Sequence, residues 1–173
     1  MVRKNKMAKL KLKGNPINTN AALPRLGSKA KDFLLTANDL HDVSLKDYQG
    51  KRILLSVYPS IDTGVCAMSV RKFNAEAAKI KNAVVLGVSR DLPFALGRFC
   101  GAEGIEKVFT LSELRNREFG KAYGLEISDG PMAGLLARAV FVISEEGKIV
   151  YRELVDDITH EPDYKAALKA LKG

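Results

Sequence analysis

Apolar positions along this chain change their spacing from segment to segment, and the changes mark the elements. Ile53 to Tyr58 is an almost unbroken apolar run stopped by Pro59, the pattern of a strand buried on both faces. Between Val65 and Lys81 the spacing becomes helical: Cys66, Val70, Phe73, Ala77 and Ile80 share one face, turned toward a sheet. Ala83 to Ser89 predicts a second buried strand, and Pro93 to Glu103 a helix opened by its proline and carrying Cys100. Val108 to Leu111 reads as a short strand and Arg117 to Tyr123 as a helix closed by Gly124. Ala137 to Ile143 and Lys148 to Leu154 are strands joined through Ser144-Glu145-Glu146-Gly147, a hairpin signal. Pro162 to Leu171 forms the last helix, with Thr159 as its expected cap. Ahead of all these, Lys9 to Lys13 and Ile17 to Ala21 flank Gly14-Asn15-Pro16 as a hairpin, a loop covers Leu23 to Ala30, and a strand runs from Asp32 to Ala37. A short segment follows through Val43 and Leu45. Strands alternating with helices and ending in an antiparallel hairpin define an α/β domain whose central sheet is covered on both faces.

Composition refines this picture only slightly. At 173 residues the chain is expected to form one domain, residues 1–173, with a basic extension over 1–7 and the hairpin within 8–22. No window is apolar for long enough to span a bilayer, and no apolar h-region follows the basic start. A cytoplasmic protein with no membrane partner is therefore expected. The net charge of +8 raises nucleic acid as a partner, but lysines and arginines crowd the two termini and no recognition motif accompanies them. A solvated surface explains them better. His41 and His160 stand at no ligand-like spacing from each other or from the cysteines, so no metal is expected. Gly130-Pro131-Met132-Ala133-Gly134 is a loop and matches no phosphate-cradling signature, so no cofactor is expected either.

The two cysteines carry the chemistry. Two thiols in a reducing compartment argue against a structural disulfide framework and for transient, catalytic or sensing roles. Cys66 lies where strand, Pro-containing turn and helix meet, which places it at a helix N-terminus. Unpaired N–H groups and the positive end of the helix dipole stabilise negative charge there, and only the thiolate is a nucleophile. Pro59 stops the strand and fixes the loop that folds back over the thiol. Thr63, three residues ahead, supplies a hydroxyl that donates and accepts, able to orient a substrate oxygen beside the sulfur. Gly64 lets backbone N–H groups approach an anion. A nearby cation is required: Arg71 and Lys72 lie more than a turn away, whereas Arg138 begins a buried apolar strand and so demands a partner. Bland alternatives stand beside each role. Cys66 and Cys100 can be packed thiols, Thr63 a helix cap, and Arg138 the partner of a carboxylate such as Asp62 or Glu76.

The string Pro59-Ser60-Ile61-Asp62-Thr63-Gly64-Val65-Cys66-Ala67, followed by Ser69-Val70-Arg71-Lys72-Phe73-Asn74, resembles the active-site signature of the bacterial thiol peroxidases. These are a peroxiredoxin subfamily with a thioredoxin-like fold. Asp91-Leu92-Pro93-Phe94-Ala95 with Arg98 to Gly104 is similar to the subfamily's second-cysteine helix. Ala137 to Val140 and Glu161 to Tyr164 resemble further family segments, and the likeness covers Gly14 to Leu171. It implies a thioredoxin-like mixed sheet flanked by helices, with an N-terminal β-hairpin, assembled as a homodimer. It implies Cys66 as the peroxidatic and Cys100 as the resolving cysteine, Thr63 and Arg138 as the groups that bind and polarise a hydroperoxide, and Pro59 as the shield of the pocket. The activity implied is reduction of hydrogen peroxide or organic hydroperoxides through a Cys66 sulfenic acid and a Cys66–Cys100 disulfide, recycled by thioredoxin. Met68, Phe94 and Leu135 are expected near the site, where they would admit an alkyl group.

Two other classes compete: a redox sensor that hands Cys66 oxidation to a partner protein, and a basic nucleic-acid-binding protein with incidental thiols. All thiol-based readings expect Cys66 to be open enough to meet an oxidant.

Overall fold

The computed structural model describes residues 7–77 and 79–173. Of the basic extension expected over 1–7, all but Met7 lies outside the described residues.

A seven-stranded mixed sheet runs in the order β4-β3-β7-β6-β5-β8-β9, with a separate two-stranded hairpin, β1 (Lys9–Leu12) and β2 (Asn15–Asn18). The apolar run becomes β5 (Arg52–Val57), at the sheet's centre, parallel to β6 (Ala83–Ser89), which in turn is parallel to β7 (Val108–Ser112). β8 (Ala139–Ile143) lies antiparallel on the other side of β5, and β9 (Ile149–Leu154) closes that edge. β3 (Leu34–Ala37) and β4 (Asp42–Ser44) extend the sheet antiparallel beyond β7. Parallel neighbours need crossover helices: α1 (Gly64–Ala77) joins β5 to β6, and α2 (Pro93–Glu103) joins β6 to β7. α3 (Glu118–Ala122) follows β7, and α4 (Tyr164–Lys172) ends the chain.

Each sheet face has its own apolar layer. On one, Phe119 and Tyr123 stack at a centroid separation of 4.5 Å and meet Phe33 and Phe141 edge-on. On the other, α1, α2 and α4 bury Val70, Phe73, Leu96, Ala167 and Leu171 against β5, β6 and β8. Cys66 and Cys100 both belong to this second layer.

The structure departs from the sequence reading at several ends. α1 stops at Ala77 rather than Lys81, because the chain must reverse before β6. Asn82 makes that reversal at φ 54° and anchors it with side-chain bonds to the Gly50 carbonyl and Glu145. The N-terminal turn is Lys13-Gly14, both at positive φ (50° and 81°), rather than Gly14-Asn15-Pro16. Pro16 sits within β2 opposite Lys11. Thr159 does not cap α4. Its hydroxyl donates to Asp157 (2.7 Å), while Asp163 is the cap, accepting from the Ala166 N–H at 2.9 Å. Asp32 stays outside β3, accepting from the Phe33 and Leu45 N–H groups.

Candidate active site

β5 runs straight into the site. The Tyr58 N–H still donates to the Val88 carbonyl of β6 at 3.1 Å, Pro59 is buried, and the chain then turns through Ser60 to Thr63. Asp91, just past β6, holds this turn in place. Its carboxylate accepts from the Ser60 hydroxyl (2.7 Å), the Ile61 N–H (2.7 Å) and the Ser89 hydroxyl (2.6 Å). The loop ahead of Cys66 is thus pinned to the segment that begins α2.

Cys66 is the third residue of α1, where helical N–H groups lack intrahelical partners. Two side chains reach its sulfur. The Thr63 hydroxyl lies 2.7 Å from Sγ and 3.1 Å from the Ser60 carbonyl, and the Arg138 Nη2 lies 3.3 Å from Sγ. Thr63 caps α1 through its carbonyl, which accepts from the Ala67 N–H at 3.0 Å, so its hydroxyl takes no part in the cap and its one hydrogen points either to the sulfur or to the Ser60 carbonyl. Arg138 is 2% exposed and is oriented by a bond from Nε to the Ile158 carbonyl (2.9 Å). Among the described residues its Nη1 is buried with no hydrogen-bond partner. A guanidinium nitrogen left unpaired inside a protein is costly unless an acceptor arrives there, and this one belongs to the group whose other arm reaches the Cys66 sulfur.

The carboxylate partners considered for Arg138 are engaged elsewhere: Asp62 lies 3.5 Å from Arg98, and Glu76 pairs with Lys79. Arg71 is held by Glu103 through two bonds of 2.7 and 2.9 Å, and Lys72 by Glu161 at 2.9 Å. Of the cations considered, Arg138 is the one that reaches the sulfur.

Contrary to expectation, Cys66 is fully buried, at 0% exposure. Pro59, Ile61 and Ala67 are buried with it, whereas Thr63 and Gly64 are exposed. Met68 and Phe94 are exposed, Phe94 by 67%, but Leu135 packs in a different cluster, under the N-terminal hairpin with Leu10, Ile17 and Ile158.

Cys100 lies in α2, half-buried, with its sulfur 3.3 Å from the hydroxyl of Thr110 on β7. Both cysteines are free thiols with separate partners. Between their helices and the sheet lies the fully buried phenol of Tyr58, whose hydroxyl has no partner among the described residues. Burial, followed by the charge of Asp91 and of the two cysteines, raises that phenol well above its ordinary range. Room for its ring comes from Gly87: a Cβ there would stand 3.0 Å from the Tyr58 oxygen.

A cysteine at the start of the helix after the central strand, with a Thr and an Arg on its sulfur, forms a candidate peroxiredoxin site on a thioredoxin-like fold. Residues 25–168 match the Redoxin family model. The chain is 52% identical over 165 residues to the thiol peroxidase of Corynebacterium glutamicum, covering 95% of this chain and 99% of that one. It superposes on the crystal structure of a peroxiredoxin-like protein from Aquifex aeolicus with a TM-score of 0.91 at 36% identity, covering 96% and 97% of the two chains. A thiol peroxidase from Chromobacterium violaceum shares the fold at 22% identity, with a TM-score of 0.86 over 95% of each chain. The chain belongs to the redoxin family, on its peroxiredoxin and thiol peroxidase branch, whose members reduce peroxides through a cysteine.

Several residues of this site carry no local sequence signal. Asp91 and the Ile158 carbonyl act on segments distant in sequence. Tyr58 gave a weak cue, since a tyrosine inside an apolar strand needs a hydroxyl partner. Arg90 is the largest omission. It is 8% exposed, lies 2.6 Å from both Glu113 and Glu126, and donates to the Gly134 carbonyl. It thereby braces the loop whose last residues deliver Arg138. Among the described residues no group of His, Cys, Asp and Glu gathers to hold a metal, and no helix is long and apolar enough to cross a membrane.

Proposed function

We propose that this enzyme reduces hydroperoxides with Cys66 as the peroxidatic and Cys100 as the resolving cysteine, and with Thr63, Arg138 and Pro59 as the residues that bind and enclose the peroxide. One observation carries this reading: the Cys66 sulfur sits between the Thr63 hydroxyl and one arm of a guanidinium whose other arm is buried and, among the described residues, unpaired. That geometry leaves a donor waiting for an oxygen next to the nucleophile.

A peroxide entering past Thr63 places one oxygen in line with the sulfur and the other against Arg138 Nη1. The sulfur attacks the first oxygen, the O–O bond breaks, and the second leaves as alkoxide or hydroxide and takes a proton to become alcohol or water. Arg138 and Thr63 stabilise the charge developing on the departing oxygen, an interaction stronger in the transition state than before it. The Cys66 sulfenic acid then condenses with the Cys100 thiol, forming the S–S bond and releasing water. A dithiol reduces that disulfide by exchange.

Family likeness supports thioredoxin as the dithiol and a homodimer as the assembly, with neither nucleic acid nor membrane as partner. Two isolated cysteines suit a reducing compartment, and we place the enzyme in the cytoplasm. Exposed Met68 and Phe94 support acceptance of organic hydroperoxides alongside hydrogen peroxide.

The test is a pair of variants in a thioredoxin-coupled assay. Cys66→Ser abolishes peroxide consumption, whereas Cys100→Ser consumes about one equivalent and then stalls without thioredoxin-dependent turnover. Sustained turnover by Cys66→Ser would remove this assignment.

A further inference from the structure

Thr110 is a polar residue in the middle of β7, 2% exposed, facing the apolar layer beneath α2. Its hydroxyl has two neighbours. One is the Cys100 sulfur at 3.3 Å, and the other is the side-chain amide of Asn38, with Nδ2 at 2.9 Å and Oδ1 at 3.1 Å. Asn38 follows β3 and also touches α2 directly: its Cβ lies 3.6 Å from where a Cβ on Gly97 would stand, one turn before Cys100. A hydroxyl buried in an apolar layer needs hydrogen-bond partners, and here an amide behind it and a thiol in front supply them, apart from the groups on the Cys66 sulfur.

We propose that Thr110, backed by Asn38, is a positioning residue that latches Cys100 to the sheet while α2 is folded, and so sets how fast Cys100 is released to the Cys66 sulfenic acid. The proposal rests on Cys100 being the resolving cysteine.

The hydrogen-bond chemistry lets the latch hold in either protonation state of the thiol. With Cys100 protonated, its S–H donates to Thr110 Oγ1 and the Thr110 hydroxyl donates to Asn38 Oδ1. With Cys100 deprotonated, Asn38 Nδ2 donates to Thr110 and the hydroxyl turns to donate to the sulfur. Either way Cys100 is satisfied where it stands. Thr110 lies on a strand paired on both sides, to β3 and β6, so it does not follow the cysteine. Cys66 is held by a different pair of groups, Thr63 and Arg138. Forming the S–S bond therefore breaks the Thr110 contact, and an interaction present before a step but lost during it slows that step. A slow release lengthens the life of the sulfenic acid, during which a second peroxide converts Cys66 to the sulfinic acid with loss of its oxygen partner as water or alcohol.

The experiment follows a single turnover. The chain contains no tryptophan, so the readout is acid quenching followed by alkylation and mass spectrometry. One equivalent of hydrogen peroxide is mixed with wild type, Thr110→Val, Thr110→Ser and Asn38→Ala. Thr110→Val keeps the shape and removes the hydroxyl. It oxidises Cys66 at the wild-type rate but forms the Cys66–Cys100 disulfide roughly three- to tenfold faster, the factor expected for one net hydrogen bond. With excess peroxide it accumulates correspondingly less sulfinic acid. Thr110→Ser restores wild-type resolution, which a merely structural role would not require. Asn38→Ala shifts resolution in the same direction as Thr110→Val, and serves as the second arm if the valine variant folds poorly. A disulfide rate equal to or below wild type in folded Thr110→Val, or in Asn38→Ala should the valine variant not fold, overturns the latch. Absence of any Cys66–Cys100 disulfide in the wild type instead overturns the assignment of Cys100, so the two failures are distinct.

Discussion

Arg138 Nη2 stands 3.3 Å from the sulfur of Cys66 while Nη1 of the same guanidinium is buried without a partner among the described residues. The planar group is fixed by its third nitrogen, which donates to the Ile158 carbonyl. One arm thus meets the sulfur, and in the proposed mechanism the other meets the peroxide oxygen that leaves. Lysine cannot reproduce this, because an ammonium is a single point charge without the guanidinium's fork. Arg138→Lys is expected to lower kcat/KM for hydrogen peroxide by about 10²-fold or more, the loss typical of removing one preorganised donor. Steady-state kinetics with coupled thioredoxin check it, and a variant within a few-fold of wild type would leave the unpaired nitrogen without a role.

Thr63 provides the opposing contact, and the same logic divides its substitutions. Thr63→Ser keeps the hydroxyl 2.7 Å from the sulfur and is expected to stay within about tenfold of wild type, whereas Thr63→Val removes it and loses about 10²-fold. Since α1 is capped by the Thr63 carbonyl rather than the hydroxyl, neither variant should unfold the helix. Unchanged far-UV circular dichroism separates lost chemistry from lost structure.

Much of this architecture was legible because the signals were local. β6 and α2 fall on the predicted boundaries, since an uninterrupted apolar run and a proline-opened helix depend on neighbours in sequence. Cys66, Thr63 and Pro59 lie within one eight-residue turn, so their spacing already encodes their proximity. What sequence could not convey was long-range satisfaction of polar groups. The cap of α4 is decided by where Asp157 spends Thr159, the C-terminus of α1 by the reversal at Asn82, and the shelter of Cys66 by residues folded over it. Arg138 declared only that it needed a partner. The partners turned out to be a carbonyl twenty residues on and a sulfur seventy-two residues back.

The Arg90 cluster bears on stability first and activity second. Glu113 is wholly buried, and its burial raises the carboxyl, opposed by the Gly120 N–H and by Arg90. Removing one partner of a buried ion pair strands the other. Arg90→Ala is expected to destabilise the fold by about 3 kcal/mol, read from urea denaturation. It should also slow Cys66 oxidation in the surviving folded fraction, because the Gly134 carbonyl and Glu126 lose the guanidinium that anchors the loop leading to Arg138. Wild-type stability in this variant would show that the cluster is dispensable.

Asp157 links pH to the same loop. Its carboxylate accepts from the Thr159 hydroxyl (2.7 Å) and N–H (3.0 Å), and from the N–H groups of Gly14 (2.8 Å) and Lys13 (3.2 Å), tying the N-terminal hairpin to the segment that presents the Ile158 carbonyl. The Thr159 bonds, followed by those from Gly14 and Lys13, hold the carboxyl well below its usual range. A carboxyl depressed in the folded state contributes stability that is complete above its unfolded value, about 3.9, and is lost as pH falls through the lower folded value. Asp157→Asn should therefore melt below wild type by a constant margin between about pH 5 and 7, and the margin should shrink below about pH 4, where the unfolded wild-type chain takes up a proton on this carboxyl while the folded one still holds it ionised. Denaturation of both proteins across that range measures it. A margin undiminished at pH 3 would mean that the charge of Asp157 contributes nothing and that the shape of the turn alone holds the hairpin in place.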